Sequence, residues 1–344
     1  FMMPALMIIM NVMSILIVWT SAHRIDAGVM EVGTMTAFIT YTMMIVMAFL
    51  MLTMISIMLP RAGVAADRID EVLKTEGSVN NSTDAVDAGR SKGVVRFNHV
   101  SFAYPEAEGK VLDDIDFEAS PGTTTAIIGS TGCGKSTLVN LIPRFFDVTE
   151  GSITLDGRDI RNITLESLRE NIGYVPQKGI LFSGTIADNI KYGQLVESDE
   201  DMLEAAEIAQ ATEFIEAKPD KYESQVAQGG NNVSGGQKQR LSIARAIARD
   251  PMIYIFDDSF SALDFKTDAA LRKALAPKVK DKTVLIVAQR ISTVMHAEQI
   301  IVLDDGKVAG IGTHKELMEN CEIYRQIAGS QLSESELKKS LEVK

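Results

Sequence analysis

Thr125-Ala-Ile-Ile-Gly129-Ser130-Thr131-Gly132-Cys133-Gly134-Lys135-Ser136-Thr137 is the run that decides the fold. It starts as a short apolar strand, passes through a loop holding three glycines, and enters a helix expected over 136–141. Such a turn brings consecutive backbone N–H groups to one concavity and aims the positive end of a helix into it. Phosphate oxygens fit that concavity. Lys135 is then placed to reach the β- and γ-phosphates of a nucleotide, and the Ser136 hydroxyl to ligate Mg²⁺. Gly129, Ser130, Thr131, Gly132, Gly134 and Thr137 complete the nucleotide-binding set, with Cys133 contributing only its backbone N–H.

Downstream, Met252-Ile-Tyr-Ile-Phe256 is a continuous apolar strand that ends in Asp257. An Asp at a strand end is commonly a cap. After a phosphate loop it is the natural holder of Mg²⁺ opposite Ser136. Between these elements lies Asn232-Val-Ser234-Gly235-Gly236-Gln237-Lys-Gln-Arg240, followed by a helix expected over 241–249. A Ser-Gly-Gly turn opening a helix either caps it or offers a second anion site.

The remaining composition sets these motifs in context. A chain of 344 residues is long enough for two domains. Residues 2–22 and 34–60 contain no Asp, Glu, Lys or Arg and hold most of the 17 Met residues. Each matches the roughly 20 apolar residues that a bilayer crossing needs. A secretory signal would have a shorter apolar part and no second span behind it. The short connector 23–33 makes the two spans a hairpin, and residues 62–73 read as a helix continuing the second. Arg61, Arg68 and Lys74 follow the second span against Arg24 alone in the connector, which places everything after Pro60 in the cytoplasm.

Two cysteines, Cys133 and Cys321, suit a reducing compartment. The sequons at Asn80, Asn81, Asn162 and Asn232 are then chance matches. A net charge of −12 argues against a nucleic-acid partner, since no basic stripe neutralises phosphates. Residues 75–93 read as a linker, 94–102 as a strand, and alternating strands and helices run on to 328, an α/β pattern. Residues 330–344 form a polar tail expected to fray.

From 94 to about 328 the chain resembles the nucleotide-binding domain of ATP-binding cassette (ABC) proteins. The resemblance rests on the phosphate loop, Gln177 in Val-Pro-Gln-Lys, the signature Ser234-Gly235-Gly236-Gln237, the strand ending in Asp257, and Ser261-Ala-Leu-Asp264, all in the family's order. It implies an α/β P-loop NTPase domain with a helical signature subdomain, ATP and Mg²⁺ as ligands, and a working dimer with ATP sandwiched between one loop and the other signature. It also implies that Tyr104 stacks on adenine and that Gln177 touches Mg²⁺ and the attacking water. Asp264 would contact the partner subunit. The two spans resemble the fifth and sixth membrane helices of the exporter type, so the chain is expected to be the latter part of a multi-pass cell-membrane half-transporter, its domain boundaries at 1–74, 75–93, 94–329 and 330–344. Thr36, Thr40, Thr53 and Ser56 either line a pathway or bond within the helices, the second reading being preferred.

Two positions depart from the family pattern. Position 258 is Asp where the family places the catalytic Glu, and Gln289 ends the strand that usually carries the switch His. The carboxylate is drawn back by about 1 Å, and an amide can donate a hydrogen bond but never become a cation. The segment Ser224-Gln-Val-Ala-Gln-Gly-Gly230 also lacks the acids and the Arg that the exporter pattern carries. The expectation is therefore a heterodimeric exporter in which this chain is the slowly hydrolysing half and lends its intact signature to a competent partner. The alternative is a homodimer that hydrolyses ATP with Asp258.

Overall fold

The computed structural model describes residues 2–340 apart from 106, 195, 334, 338 and 339. The chain divides into two units, Phe1–Gly77 and Ser78–Lys344.

The first unit is a helical hairpin of α1 (Met2–Asp26) and α2 (Val32–Lys74). Large apolar side chains such as Trp19, Phe49 and Met51 lie exposed, as on a surface that faces lipid. Both helices are long and apolar enough to cross a membrane. The expected spans 2–22 and 34–60 are the uncharged parts of longer helices. With 43 residues, α2 is roughly 65 Å long, about twice the hydrocarbon thickness of a bilayer. It continues through Pro60, and its last turns carry charge, including an exposed Lys74–Asp70 pair at 2.6 Å. The hydroxyls of Thr36, Thr40, Thr53 and Ser56 each donate to a backbone carbonyl three or four residues back, at 2.8–2.9 Å.

The second unit starts with β1 (Val95–Phe102), β2 (Leu112–Ala119) and β3 (Thr124–Gly129), then α3 (Lys135–Leu141), β4 (Glu150–Leu155), β5 (Arg158–Asp159), α4 (Leu165–Glu170) and β6 (Ile172–Val175). A mainly helical insertion follows: β7 (Gly184–Thr185), α5 (Ile186–Lys191), α6 (Asp199–Ile208), α7 (Thr212–Glu216), β8 (Gln225–Val226) and α8 (Gly235–Ala248). The chain returns through β9 (Ile253–Asp257), α9 (Phe265–Lys278), β10 (Thr283–Val287), α10 (Ile291–Val294), β11 (Gln299–Asp304), β12 (Lys307–Gly312), α11 (His314–Asn320) and α12 (Glu322–Gln331).

Strands β2-β1-β4-β5 form an antiparallel sheet, and β12-β11-β3-β10-β9-β6 a second that is parallel except for β12. Each residue of β9 and β10 is buried, the unbroken apolar pattern of parallel strands covered on both faces. Period-two alternation sends Tyr254, Phe256, Val284 and Ile286 into one core and Ile253, Ile255, Leu285 and Val287 into the other. The sheet order sets the carboxyl ends of β3, β10 and β9 side by side, at the edge where ligands of open α/β sheets bind.

Four local expectations shift. Helix α8 begins at Gly235, six residues ahead of the expected start, because Ser234 caps it: its Oγ accepts from the Gln237 N–H at 3.3 Å and its own N–H donates to Gln237 Oε1 at 3.1 Å. Helix α3 begins at Lys135, with Gly134 as its cap residue. Much of segment 75–93 is fastened to the second unit: the Leu165 N–H donates to Asn81 Oδ1 at 2.8 Å, the Ser167 hydroxyl to Asp87 at 2.6 Å, and the Ser91 N–H to Asn171 at 2.8 Å. Polar residues made this stretch read as free linker, yet their side chains and amides are what tie it down. In the tail, α12 reaches Gln331, Leu332 and Leu337 pack on the core, and Ser340 bonds His314 at 3.0 Å. The fraying expectation thus gives way to docking over these residues; for 334, 338, 339 and 341–344 it lies outside the described residues.

Candidate nucleotide site

The loop between β3 and α3 is shaped by its glycines. A Cβ on Gly129 would meet the Leu303 carbonyl oxygen and lie 2.7 Å from Cys133 Sγ, so only glycine fits where β3 runs beside β11. Gly134 turns the chain into α3 at φ +98°, a left-handed conformation that disfavours any side chain. The buried Lys135 folds back so that its Nζ donates to the carbonyls of Gly129 at 2.9 Å and Ser130 at 2.6 Å. The ammonium is thereby held at the centre of the loop.

Across the cleft, Ser136 Oγ donates to Asp257 Oδ1 at 2.9 Å. Asp257 ends β9, and its other oxygen accepts from the Tyr174 hydroxyl at 3.4 Å. Asp258 turns sharply at φ +46°, while its N–H still bonds the Val287 carbonyl at 3.0 Å. That turn presents its Oδ2 to two amides, accepting from Gln289 Nε2 at 2.9 Å and from Gln177 Nε2 at 3.2 Å. Gln177 arrives from the segment after β6 and Gln289 from the segment after β10. The result is a cleft of about 250 Å³ lined by Thr131, Gly132, Gly134, Lys135, Ser136, Thr137, Gln177, Asp257, Asp258 and Gln289.

Burial raises both Asp257 and Asp258 above the ordinary carboxylate range, and the charge of Asp258 raises Asp257 further. The donor set suits Mg²⁺: a hydroxyl and a carboxylate meet, and both neighbouring carboxyls lack full solvation of their charge. No group of three or more His, Cys, Asp or Glu gathers among the described residues.

An acid whose pKa is raised by folding contributes most to stability below its unfolded value, and that contribution is lost as pH rises through the folded value. Asp258→Asn removes the penalty while keeping an oxygen for both Gln amides. Its melting temperature is expected to exceed wild type near pH 7.5, with the gap closing below about pH 4. Equal melting temperatures at both pH values would contradict this.

The remaining predicted residues fall outside the cleft lining. Tyr104 sits beside it, its hydroxyl 3.0 Å from Thr137 Oγ1 and its ring against Phe102 and Phe146. Ser130 presents its carbonyl to Lys135, and Cys133 is buried, its Sγ 3.7 Å from the Lys135 ammonium. Ser234, Gly235, Gly236 and Gln237 open α8 at the surface and line none of this cleft. Asp264 caps α9, accepting from the Thr267 N–H at 3.0 Å and hydroxyl at 2.7 Å. Sequence reading missed Tyr174, whose hydroxyl also donates to Asn140 at 2.8 Å; a lone Tyr in a strand carries no motif signal.

Comparison with known proteins agrees with this geometry. The family model described as ABC transporter matches residues 112–261. An uncharacterised ABC transporter ATP-binding protein of Mycobacterium tuberculosis (strain ATCC 25618 / H37Rv) is 48% identical over 339 residues, covering 96% of this chain and 57% of that protein. A β-(1→2)glucan export ATP-binding/permease protein of Rhodopseudomonas palustris is 44% identical over 269 residues, covering 78% of this chain and 45% of its own length. The solved structure of a bacterial Atm1-family ABC exporter with ATP bound superposes with a TM-score of 0.82 at 31% identity, over 95% of this chain and 57% of that one. The chain therefore spans little more than half the length of the mycobacterial relative and of the Atm1-family exporter. Residues 112–261 thus fall in an ATP-binding domain of the ABC-transporter type, and the chain that carries it is related to the Atm1-family exporters.

Proposed function

We propose that this chain is part of an ATP-driven exporter half, and that its own cleft holds ATP and hydrolyses it slowly. The observation that carries the reading is the Asp258–Gln289 hydrogen bond at 2.9 Å, set among intact binding residues. The Gly129–Thr137 loop and Lys135 would bind the phosphates, Ser136 and Asp257 would hold Mg²⁺ with Gln177 near it, and Tyr104 would face the adenine. Mg²⁺, when bound, neutralises charge on the β- and γ-phosphate oxygens. Asp258 would accept the proton of the attacking water, but from a short side chain whose neighbour is a neutral amide with no proton to give.

In this reading α1 and α2 lie in the cell membrane, and the charged residues after Pro60 place the ATP-binding domain in the cytoplasm. The Ser234–Gln237 turn, exposed at Ser234 and Gly235, would complete the cleft of a second subunit, with Asp264 at the same junction. A partner half bearing Glu and His at the matching positions would supply the fast site, and closure of the pair on ATP would turn the membrane cavity outward.

A second reading has the stronger support: two amides already fix the Asp258 carboxylate, and burial makes it more basic. A pair of identical subunits could then turn over ATP with Asp258 alone. Purified full-length chain, by itself and assembled with its partner half, separates the two. Turnover that rises on the order of 100-fold on adding the partner supports the heterodimer. Rapid turnover by the chain alone, lost in Asp258→Ala, would replace it with the homodimer.

A further inference from the structure

The segment that carries Gln289 is gripped from behind by the last residue of α12. Gln331 Nε2 donates to the Gln289 carbonyl at 2.8 Å, and Gln331 Oε1 accepts from the Ile291 N–H at 2.8 Å. One side-chain amide thus bonds the main chain on both sides of Arg290, pairing donor to acceptor as a neighbouring strand would. The hold is two-sided. From α9, Arg272 Nη1 donates to the Thr293 carbonyl at 2.9 Å, and the ring of Phe265 lies under the Arg290 guanidinium at 5.3 Å.

The grip has a firm base. In α12, Tyr324 and Ala328 are fully buried, and the Tyr324 hydroxyl lies 2.8 Å from His314 Nδ1. Gln331 itself is exposed at the end of that helix, so no core packing accounts for its orientation. On the other side of the segment, the Gln289 side chain reaches Asp258 at 2.9 Å. Two hydrogen-bonded links therefore connect α12 to the carboxylate in the cleft.

We propose that Gln331 is a positioning residue for this site: by clamping residues 289–291 it sets where the Gln289 amide points and thereby holds Asp258 in register. The docking of α12 is then read directly at the end of the cleft that holds Asp258 and Gln289. Ser and Thr cannot replace it, since neither places an amide donor and a carbonyl acceptor side by side, and Asn is one methylene too short to reach both groups from the same Cα.

This inference rests on the reading that the cleft turns over ATP, and the test separates the two. The full-length transporter is assembled with its partner half, whose own catalytic carboxylate is neutralised, so that the turnover measured belongs to this chain. Gln331→Met keeps length without polar atoms; Gln331→Glu keeps the acceptor for Ile291 and loses the donor to Gln289. Amide exchange at Ile291 is expected to quicken about tenfold in Gln331→Met and to stay near wild type in Gln331→Glu. In both variants kcat for ATP should fall about tenfold, while KM and the melting temperature barely move. Unchanged Ile291 exchange in Gln331→Met, or faster exchange with unchanged kcat, overturns the proposal. A fall in melting temperature with kcat intact assigns Gln331 a merely structural role and also overturns it. Failure of the wild-type chain to bind or hydrolyse ATP would instead sink the reading of the cleft, with the Ile291 exchange rates still deciding whether the clamp exists.

Discussion

Asp258→Glu combined with Gln289→His is expected to raise ATP hydrolysis by this chain's own site about 100-fold. The lengthened carboxylate would reach about 1 Å further from the backbone turn that now holds Asp258 close to Gln177 and Gln289. An imidazole beside it could take up a charge that the Gln289 amide cannot, and general acid–base assistance of that kind is worth on the order of 100-fold or more. The single Gln289→His variant should gain much less, because its partner would still be the short carboxylate. The gain has a cost at the backbone. Asp258 sits at φ +46°, where Asp is tolerated better than Glu, so the double variant is expected to lose about 1 kcal/mol of stability. Single-turnover hydrolysis would decide: a double variant within threefold of wild type would mean that neither position limits the chemistry.

Gly129→Ala should produce the largest loss. The added methyl would run into the Leu303 carbonyl and stand 2.7 Å from Cys133 Sγ, and β3 cannot move aside without breaking its pairing with β11. Overpacking of this kind costs about 1–3 kcal/mol. The Gly129 carbonyl is also one of the two that hold the Lys135 ammonium, so its displacement moves the cation that, in the proposed reading, would face the phosphates. ATP affinity is expected to fall by at least about 100-fold, close to the effect of removing the Lys135 side chain itself. Gly109→Ala is the matched control, since its methyl would meet nothing within 4 Å, and neither affinity nor melting temperature should change. Calorimetric titration with ATP that gave wild-type affinity for Gly129→Ala would refute the assignment of this loop.

How far each feature could be read in advance follows from its range along the chain. The phosphate loop, the apolar strand before Asp257 and the two uncharged runs are local patterns, and the structure builds each of them. Ser234 was harder, because its Gly-Gly neighbours disfavour helix and only the reciprocal bonds with Gln237 pull the start of α8 forward. Asp258 and Gln289 were singled out by resemblance, but nothing in their spacing of 31 residues announced that they bond each other. Tyr174 reaches Asp257 from a neighbouring strand, and Gln331 reaches the Gln289 backbone from α12. Such contacts depend on which elements the sheet order makes neighbours, information that no local periodicity carries. The strap at 78–93 was hidden for a related reason: hydrogen bonds to distant partners, rather than apolar burial, hold much of it in place.

The unbroken course of α2 has a mechanical consequence. A single helix of roughly 65 Å can act as a shaft, its turns locked to one another by backbone hydrogen bonds except at Pro60. The helix runs on through Pro60 without an irregular turn, but that residue has no N–H to give, so it is the soft point of the shaft between Val32 and Lys74. A pivot of about 10° at one end sweeps the other through roughly 11 Å for that length. Tilt applied at the charged end is therefore carried toward the uncharged end with some give at Pro60, which makes α2 a lever whose gain is set by its length.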